Sequence, residues 1–134
     1  MTTYTSGAGA IESWDENPYL EIDDHRKLTQ ASIRLKYNGD WEGESTSETL
    51  MCYAADDATS YVGLEHFVGR IGERSGSFVI QSTGTYDGIQ ARSEGDVVPG
   101  SGTGDFAGIR GRHTSVSTHD DYPNKPFTFE YDLD

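Results

Sequence analysis

The chain has 134 residues, of which 10 are Lys or Arg and 23 are Asp or Glu, giving a net charge of −13. Nucleic-acid binding needs clustered cations, and no basic stripe is present, so we expect no nucleic-acid partner. No apolar run approaches the ~18 residues that span a bilayer, and the N-terminus lacks the basic and apolar regions of a signal peptide, so we expect a cytoplasmic protein without a membrane partner.

The aliphatic content is low for a folded chain. Leu, Ile, Val and Phe together make up about 18% of the residues, which with a high net charge is typical of disorder. Fifteen aromatic residues and regular alternation in several segments argue for a folded protein instead. The length fits one domain over residues 1–134. One cysteine, Cys52, cannot form an internal disulfide.

Alternation of period two dominates the chain, and no window shows a sustained period of 3.6. Turn signals recur at strand-length spacing, which predicts an all-β fold. Strands are predicted over 8–14, 31–37, 40–54, 59–71, 76–86, 89–98, 111–119 and 126–133. Eight antiparallel strands joined by hairpins can close into a small barrel with room for one ligand. We therefore expect an eight-stranded antiparallel meander closed into a barrel.

Residues 99–110 interrupt this pattern with four glycines. Asp105 is expected to cap a short helical turn near 104–110. The stretch lacks the Gly-Lys-Ser/Thr ending of a phosphate loop and no βαβ unit surrounds it. Nothing fixes the geometry of His113 and His119 as metal ligands. We therefore predict no metal and no cofactor.

Several motifs together resemble a known family. They are Tyr37-Asn-Gly-Asp-Trp-Glu-Gly43, Tyr61-Val-Gly-Leu-Glu65, Arg74-Ser-Gly-Ser-Phe-Val79, the run from Val98 to Gly111, and Phe129-Glu-Tyr-Asp132. They are similar to the signature of a bacterial family of unknown function, whose fold resembles that of plant allene oxide cyclase. The resemblance implies a small calycin-type β-barrel with a central cavity. The plant proteins of this fold cyclise an unstable epoxide without a cofactor.

Hairpin register predicts which side chains face inward. A two-residue turn at Asp87-Gly88 pairs Tyr86 with Ile89, and a four-residue loop at 72–75 pairs Phe67 with Ile80. Three interior layers follow: Gly63, Gly84 and Ala91; Glu65, Ser82 and Ser93; Phe67, Ile80 and Gly95. Small inner residues on three adjacent strands predict a hollow. The alternative is that bulky side chains from the opposite wall fill it.

The Asn38-Gly39 turn favours a second inward carboxylate, because it places Glu48 and Cys52 on the face of Ile33. If Glu48 aligns with Glu65, two carboxylates share a low-dielectric space and one pKa rises. Such a pair supplies an acid and a base at neutral pH. A bulge near Gly43 would instead turn Glu48 into solvent, and both readings stay open.

The predicted function is binding of a hydrophobic small molecule. Two mechanisms are open: a cofactor-independent isomerase or cyclase, and a non-catalytic carrier or sensor. A third possibility is a homo-oligomeric structural barrel with a filled core. The candidate catalytic residues are Glu65 and Glu48, and the candidate ligand-binding residues are Cys52, Tyr61, Phe67, Ile80, Ser82, Tyr86 and Ser93. A pKa of Glu65 well above ~4.3 would favour catalysis, and an ordinary pKa would favour binding.

Overall fold

A computed structural model describes residues 2–55 and 57–133. The strands are β1 (Thr2–Glu21), β2 (Lys27–Tyr37), β3 (Trp41–Ala55), β4 (Ala58–Ile71), β5 (Arg74–Tyr86), β6 (Gln90–Val97), β7 (Thr103–Gly104), β8 (Arg110–Thr118) and β9 (Asn124–Asp132). A 3-10 helix covers His119–Asp121. Within the described ranges, no helix is long and apolar enough to cross a membrane.

Eight strands form a closed antiparallel ring. Each of β1 to β5 pairs with the next strand, β6 pairs with β8, β8 with β9, and β9 returns to β1. The ring takes in all eight predicted strands, so the expected closed meander is confirmed. The short β7 pairs only with β5, outside the ring. β1 is much longer than predicted, because its first half pairs with β9 and its second half with β2.

The glycine-rich segment folds as hydrogen-bonded turns rather than as a helix. The Phe106 N–H donates to Thr103 O and the Ile109 N–H donates to Phe106 O, both at 3.0 Å. Asp105 does not cap a helix there, and its Oδ2 instead accepts from the Ser75 N–H at 3.0 Å. The helical turn of the described chain lies at His119–Asp121, about ten residues later than expected.

The β4–β5 hairpin has a shorter turn than predicted. Ile71 pairs with Arg74, so Gly72 and Glu73 alone make the connection. Gly72 has a φ of +61°, which the first central position of a primed hairpin turn requires. The predicted four-residue loop at 72–75 is therefore wrong, and Phe67 pairs with Phe78 instead of Ile80.

The β5–β6 hairpin shows the opposite deviation. Tyr86 pairs with Ala91, not with Ile89, and residues 87–89 connect the two strands. Oδ1 of Asp87 accepts hydrogen bonds from the N–H groups of Ile89 (2.9 Å) and Gln90 (2.8 Å). This Asx-type bonding stabilises the wider turn. Ile89 consequently lies in solvent at 71% exposure.

Each of these two errors shifts the pairing by two residues, so the inward face is predicted correctly but the partners are not. The three predicted layers are therefore wrong. The observed rows across β4, β5 and β6 are Tyr61, Gly84 and Ser93; Gly63, Ser82 and Gly95; and Glu65, Ile80 and Val97. The row of Gly63, Ser82 and Gly95 retains the predicted run of small side chains.

The β2–β3 hairpin reverses the predicted face of β3. Asn38, Gly39 and Asp40 lie outside the strands and Tyr37 pairs with Gly43, so the two-residue turn is not formed. The predicted pairing would have placed the indole of Trp41 on the outer face. In the structure Trp41 is 2% exposed. Burying so large an apolar side chain favours the observed register.

One half of the ring is packed solid with aromatic side chains. The ring centroid of Trp41 lies 4.7 Å from those of Phe67 and Phe127 and 5.1 Å from that of Phe129. Phe106, from the glycine-rich segment, closes this end against other buried rings. We call this cluster the aromatic plug; its members are Tyr37, Trp41, Phe67, Phe78, Phe106, Phe127 and Phe129.

Candidate ligand-binding site

The other half of the ring is hollow. It contains a cavity of about 330 Å³, whose lining includes Thr118 and Tyr122 on either side of the 3-10 helix and Tyr86 at the end of β5. Its apolar and aromatic walls come from Ile11, Trp14, Ile33, Leu35, Met51, Tyr53, Tyr61, Tyr86, Ala91 and Tyr122. Its polar lining comes from Ser47, Thr49, Thr59, Glu65, Ser82, Ser117, Thr118, Asn124 and Lys125. Concave sites of this volume and mixed lining are typical of small-molecule binding.

Glu65 is the deepest ionisable group of β4 in this cavity. The next inward-facing residue of the same strand is Phe67, which belongs to the aromatic plug. Glu65 is 7% exposed, and its Oε2 accepts a hydrogen bond from the Tyr37 hydroxyl. The carboxylate therefore lies at the floor of the cavity, where the hollow half meets the packed half.

The carboxyl group of Glu65 is held in its ionised form. Burial opposes ionisation, but the charge of Lys125 and the hydrogen bond from Tyr37 favour the carboxylate, and the pKa of Glu65 is lowered from 4.5. Burial together with the Glu65 charge raises the pKa of the Tyr37 hydroxyl well above 10. At neutral pH the pair is thus a carboxylate and a neutral phenol that donates to it.

Behind this carboxylate lie two buried polar atoms without partners. Nε2 of His113 and Oγ of Ser45 make no hydrogen bond within the described chain. The imidazole of His113 stacks on Phe127, with ring centroids 5.0 Å apart. Burial lowers the pKa of His113 to about 4, although the Glu65 charge acts in the opposite direction. His113 is therefore a neutral imidazole at pH 7.

Lys125 brings a cation to the same cavity. It lies on β9, two residues before Phe127, and lines the same cavity as Glu65. In the part of the chain that the structure describes, its ammonium group forms no salt bridge. Its charge is nevertheless close enough to help lower the pKa of Glu65. The floor therefore carries one negative and one positive group.

A second carboxylate, Glu16, lies near the mouth. Its Oε2 accepts from the hydroxyl groups of Tyr53 and Thr29, the latter at 2.7 Å, and its Oε1 accepts from Trp14 Nε1 at 2.9 Å. Burial opposes the ionisation of Glu16, but these bonds and the charge of Lys27 lower its pKa. Burial and the Glu16 carboxylate raise the pKa of Tyr53 to about 12. The Lys27 Nζ lies 5.0 Å above the Tyr53 ring.

Three predicted ligand-binding residues line the cavity. Tyr61 lies against Gly84 and donates from its hydroxyl to Arg92 O at 3.2 Å. Ser82 lies in the wall between two glycines, and Tyr86 lies at the mouth. The Tyr86 hydroxyl and His119 Nε2 are 2.6 Å apart. These residues and Glu65 are the part of the predicted site that the structure brings together.

The remaining predicted residues lie elsewhere. Phe67 and Ile80 are buried in the core and Ser93 is also buried, and none of the three lines the cavity. Cys52 lines a shallow groove of about 760 Å³ on the outer surface. Glu48 also points outward, where it accepts hydrogen bonds from Ser32 (2.9 Å) and Gln30. The inward placement of Glu48 and Cys52 is wrong because the face of β3 is reversed.

Sequence reasoning missed Lys125, Glu16 and the partner of Glu65. The sequence does indicate the position of Lys125. It lies in the same period-two alternation as Phe127 and Phe129, and so belongs to the inward face of β9. Tyr37 had the same signal on β2. Glu16 had none, because it lies beyond the predicted end of the first strand and past a bulge between Ile11 and Ser13.

The fold and the cavity define the class of this protein, a closed eight-stranded antiparallel sheet that is half packed and half hollow. The chain belongs to the DUF3224 family of proteins of unknown function, whose family model matches residues 5–131. This confirms the family resemblance seen in the motifs. The chain is similar to a crystal structure of a DUF3224 protein of unknown function from Shewanella oneidensis MR-1. That likeness has a TM-score of 0.74 at 24% identity, covers 98% of this chain and 99% of the other, and shows the fold alone. No curated protein matches.

Proposed function

We propose that this protein binds a small, largely apolar molecule in the hollow half of the ring, as a carrier or sensor. The observation that supports this most directly is the cavity itself, about 330 Å³ of space ending on the Glu65 carboxylate. A water molecule occupies roughly 30 Å³ in the liquid, so that space equals the volume of about ten water molecules and suits a small ligand. Aromatic walls contribute most of the contact with such a ligand, and the polar floor orients it.

Cofactor-independent isomerisation or cyclisation is the less supported alternative. It relied on two carboxylates in one cavity, and Glu48 lies on the outer surface. The lowered pKa of Glu65 makes this carboxylate a weak base and removes it as a proton donor at neutral pH. A cyclase on this scaffold would depend on holding its substrate in the reactive conformation, which can contribute several kcal/mol without acid–base groups.

The two tryptophans offer an internal test of occupancy. Trp14 lines the cavity, whereas Trp41 is buried in the aromatic plug. In a ¹⁵N-labelled sample, titration with 2-naphthol should shift the indole N–H resonance of Trp14 and leave that of Trp41 in place. Calorimetry on the same sample gives the affinity.

A matched pair of variants separates the cavity from the outer surface. Ser82→Phe puts a ring into the row between Gly63 and Gly95, and Thr83→Phe puts the same ring on the outer face of the same strand. Ser82→Phe should abolish 2-naphthol binding while far-UV circular dichroism stays unchanged, and Thr83→Phe should bind like the wild type. The proposal fails if 2-naphthol and 1-octanol both leave Trp14 unshifted, or if Ser82→Phe folds and binds normally.

A further inference from the structure

One carboxylate and one ammonium group line the cavity, and a second pair of opposite charges lies beside its wall residue Tyr53. Glu65 and Lys125 both line the cavity, where the Lys125 charge lowers the pKa of Glu65 although the two side chains form no salt bridge in the described chain. Nearer the mouth, Tyr53 connects the second pair, since its hydroxyl donates to Glu16 and its ring lies 5.0 Å below the Lys27 Nζ. Each carboxylate thus has a cation of this chain close to it. A ligand entering the cavity meets polar groups but no net charge.

We infer that the cavity selects an electrically neutral molecule carrying a hydroxyl group, which binds between Glu65 and Lys125. This inference rests on the proposed binding function and names its ligand class. A hydroxyl group both donates and accepts, so a single oxygen can donate to the Glu65 carboxylate and accept from the Lys125 ammonium. Lys125 forms no salt bridge with the described residues, which leaves its donors available.

A charged ligand is disfavoured by the same arrangement. A carboxylic acid would bring a second anion next to Glu65, and an amine would bring a second cation next to Lys125. Either would leave one buried charge without compensation, and an unpaired charge in a desolvated site is costly. The net charge of −13 acts on all ligands from a distance and by itself favours cations. Preference for a neutral ligand over a cation therefore has to come from the cavity.

Three probes with one aromatic skeleton test this directly: 2-naphthol, 2-naphthoate and (2-naphthyl)methylammonium. Calorimetry at pH 7 should show that the wild-type protein binds 2-naphthol at least tenfold more tightly than either ion. Removing one of the two charges at the cavity floor should change the relative affinities for the three probes. Lys125→Met should raise the affinity for the ammonium probe about tenfold, and Glu65→Gln should do the same for 2-naphthoate.

The outer surface provides a control for each variant. Lys36→Met and Glu48→Gln remove the same charges from exposed positions, and so change the long-range field equally without touching the cavity. Both should keep the wild-type order of the three probes. Since Glu65→Gln replaces a buried carboxylate oxygen with an NH2 group and lowers the stability of the fold, Lys125→Met is sufficient to decide.

The outcomes separate this inference from the proposed function. If none of the three probes binds the wild-type protein, the binding function itself is wrong. If 2-naphthoate or the ammonium probe binds as tightly as 2-naphthol, the cavity binds ligands but the neutral-hydroxyl class is wrong. If Lys125→Met gains no affinity for the ammonium probe, or gains no more than Lys36→Met, the compensation between Glu65 and Lys125 is wrong.

Discussion

Tyr37 donates its hydroxyl hydrogen to Oε2 of Glu65 at the boundary between the aromatic plug and the cavity. Both side chains are almost fully buried, with exposures of 3% and 7%. The aromatic half of the barrel therefore supplies the donor that stabilises the only charged group of β4 facing the hollow half. This hydrogen bond connects a side chain of the packed half to a side chain of the polar cavity floor.

Replacing Glu65 should destabilise the protein much more than replacing Glu48. Glu65→Gln removes the negative charge that Lys125 and Tyr37 stabilise inside the barrel. The free energy of unfolding should fall by about 1–3 kcal/mol, the range for disturbing a buried charged hydrogen bond. Glu48→Gln makes the same chemical change on the outer surface and should cost less than about 0.5 kcal/mol. Urea unfolding monitored by Trp fluorescence measures both, and equal losses would contradict the observed face of β3.

Acid should destabilise the fold through His113. Its pKa is about 4 in the folded protein against 6.5 ordinarily, so between these pH values the unfolded chain binds the additional proton. Stability is fully present above pH 6.5 and is lost as the pH falls towards 4, by about 3 kcal/mol at roughly 1.4 kcal/mol per unit. The lowered pKa of Glu65 adds a loss of the same sign below pH 4.5.

The variant His113→Phe isolates this contribution. Phe can retain the stacking on Phe127 and removes the unpartnered Nε2. Urea unfolding at a series of pH values should show a flatter profile between pH 6.5 and 4 for the variant than for the wild type. Parallel profiles in that window would mean that His113 is not the group responsible.

The sequence predicted correctly which side chains face inward wherever the error in the pairing register of a hairpin was an even number of residues. Shortening one turn and lengthening the other moved the partners of β5 by two positions, and Glu65, Ser82 and Tyr86 still faced inward. At the β2–β3 connection the error was odd, and every side chain of β3 changed face. Burial of the Trp41 side chain favours the observed register. The prediction from the Asn38-Gly39 turn alone did not take this burial into account.

The candidate site was predictable only for strands whose length was predicted. Glu16 lies near the cavity mouth because β1 continues to Glu21, far beyond the expected end of the strand at residue 14. Long-range pairing with β2 holds this extension, and no local turn signal marks it. The division of the interior into packed and hollow halves likewise depends on how rings from different strands meet, which local pattern does not encode.

Adding a methyl group at Gly84 should close part of the cavity. A Cβ there would lie 2.3 Å from the Tyr61 ring and 2.5 Å from Arg92 O, so the ring must move. Gly84→Ala should lower the free energy of unfolding by roughly 1–3 kcal/mol and weaken 2-naphthol binding several-fold. Thr85→Ala, the next residue on the outer face, is the control for both measurements. If a folded Gly84→Ala protein binds 2-naphthol as tightly as the wild type does, Tyr61 is not part of the cavity wall.

The glycine-rich segment should be anchored by one side chain. Phe106 is fully buried, with its ring centroid 5.2 Å from that of Phe78, and its neighbour Asp105 bonds to Ser75 through both backbone and carboxylate. Phe106→Ala should reduce the free energy of unfolding by about 3–5 kcal/mol, as is usual for removing a buried ring.

The same variant should loosen the closed end of the barrel selectively. Hydrogen exchange of the amides of Phe106 and Ile109 should accelerate, because their turns lose the packing that holds them. Exchange around Tyr86 at the open end, on the far side of the plug, should change only as much as the global stability does. Ala107→Gly, at an exposed position one residue along, serves as the control. If Phe106→Ala leaves exchange at 106–109 at the wild-type rate, the segment is held by Asp105 and not by the plug.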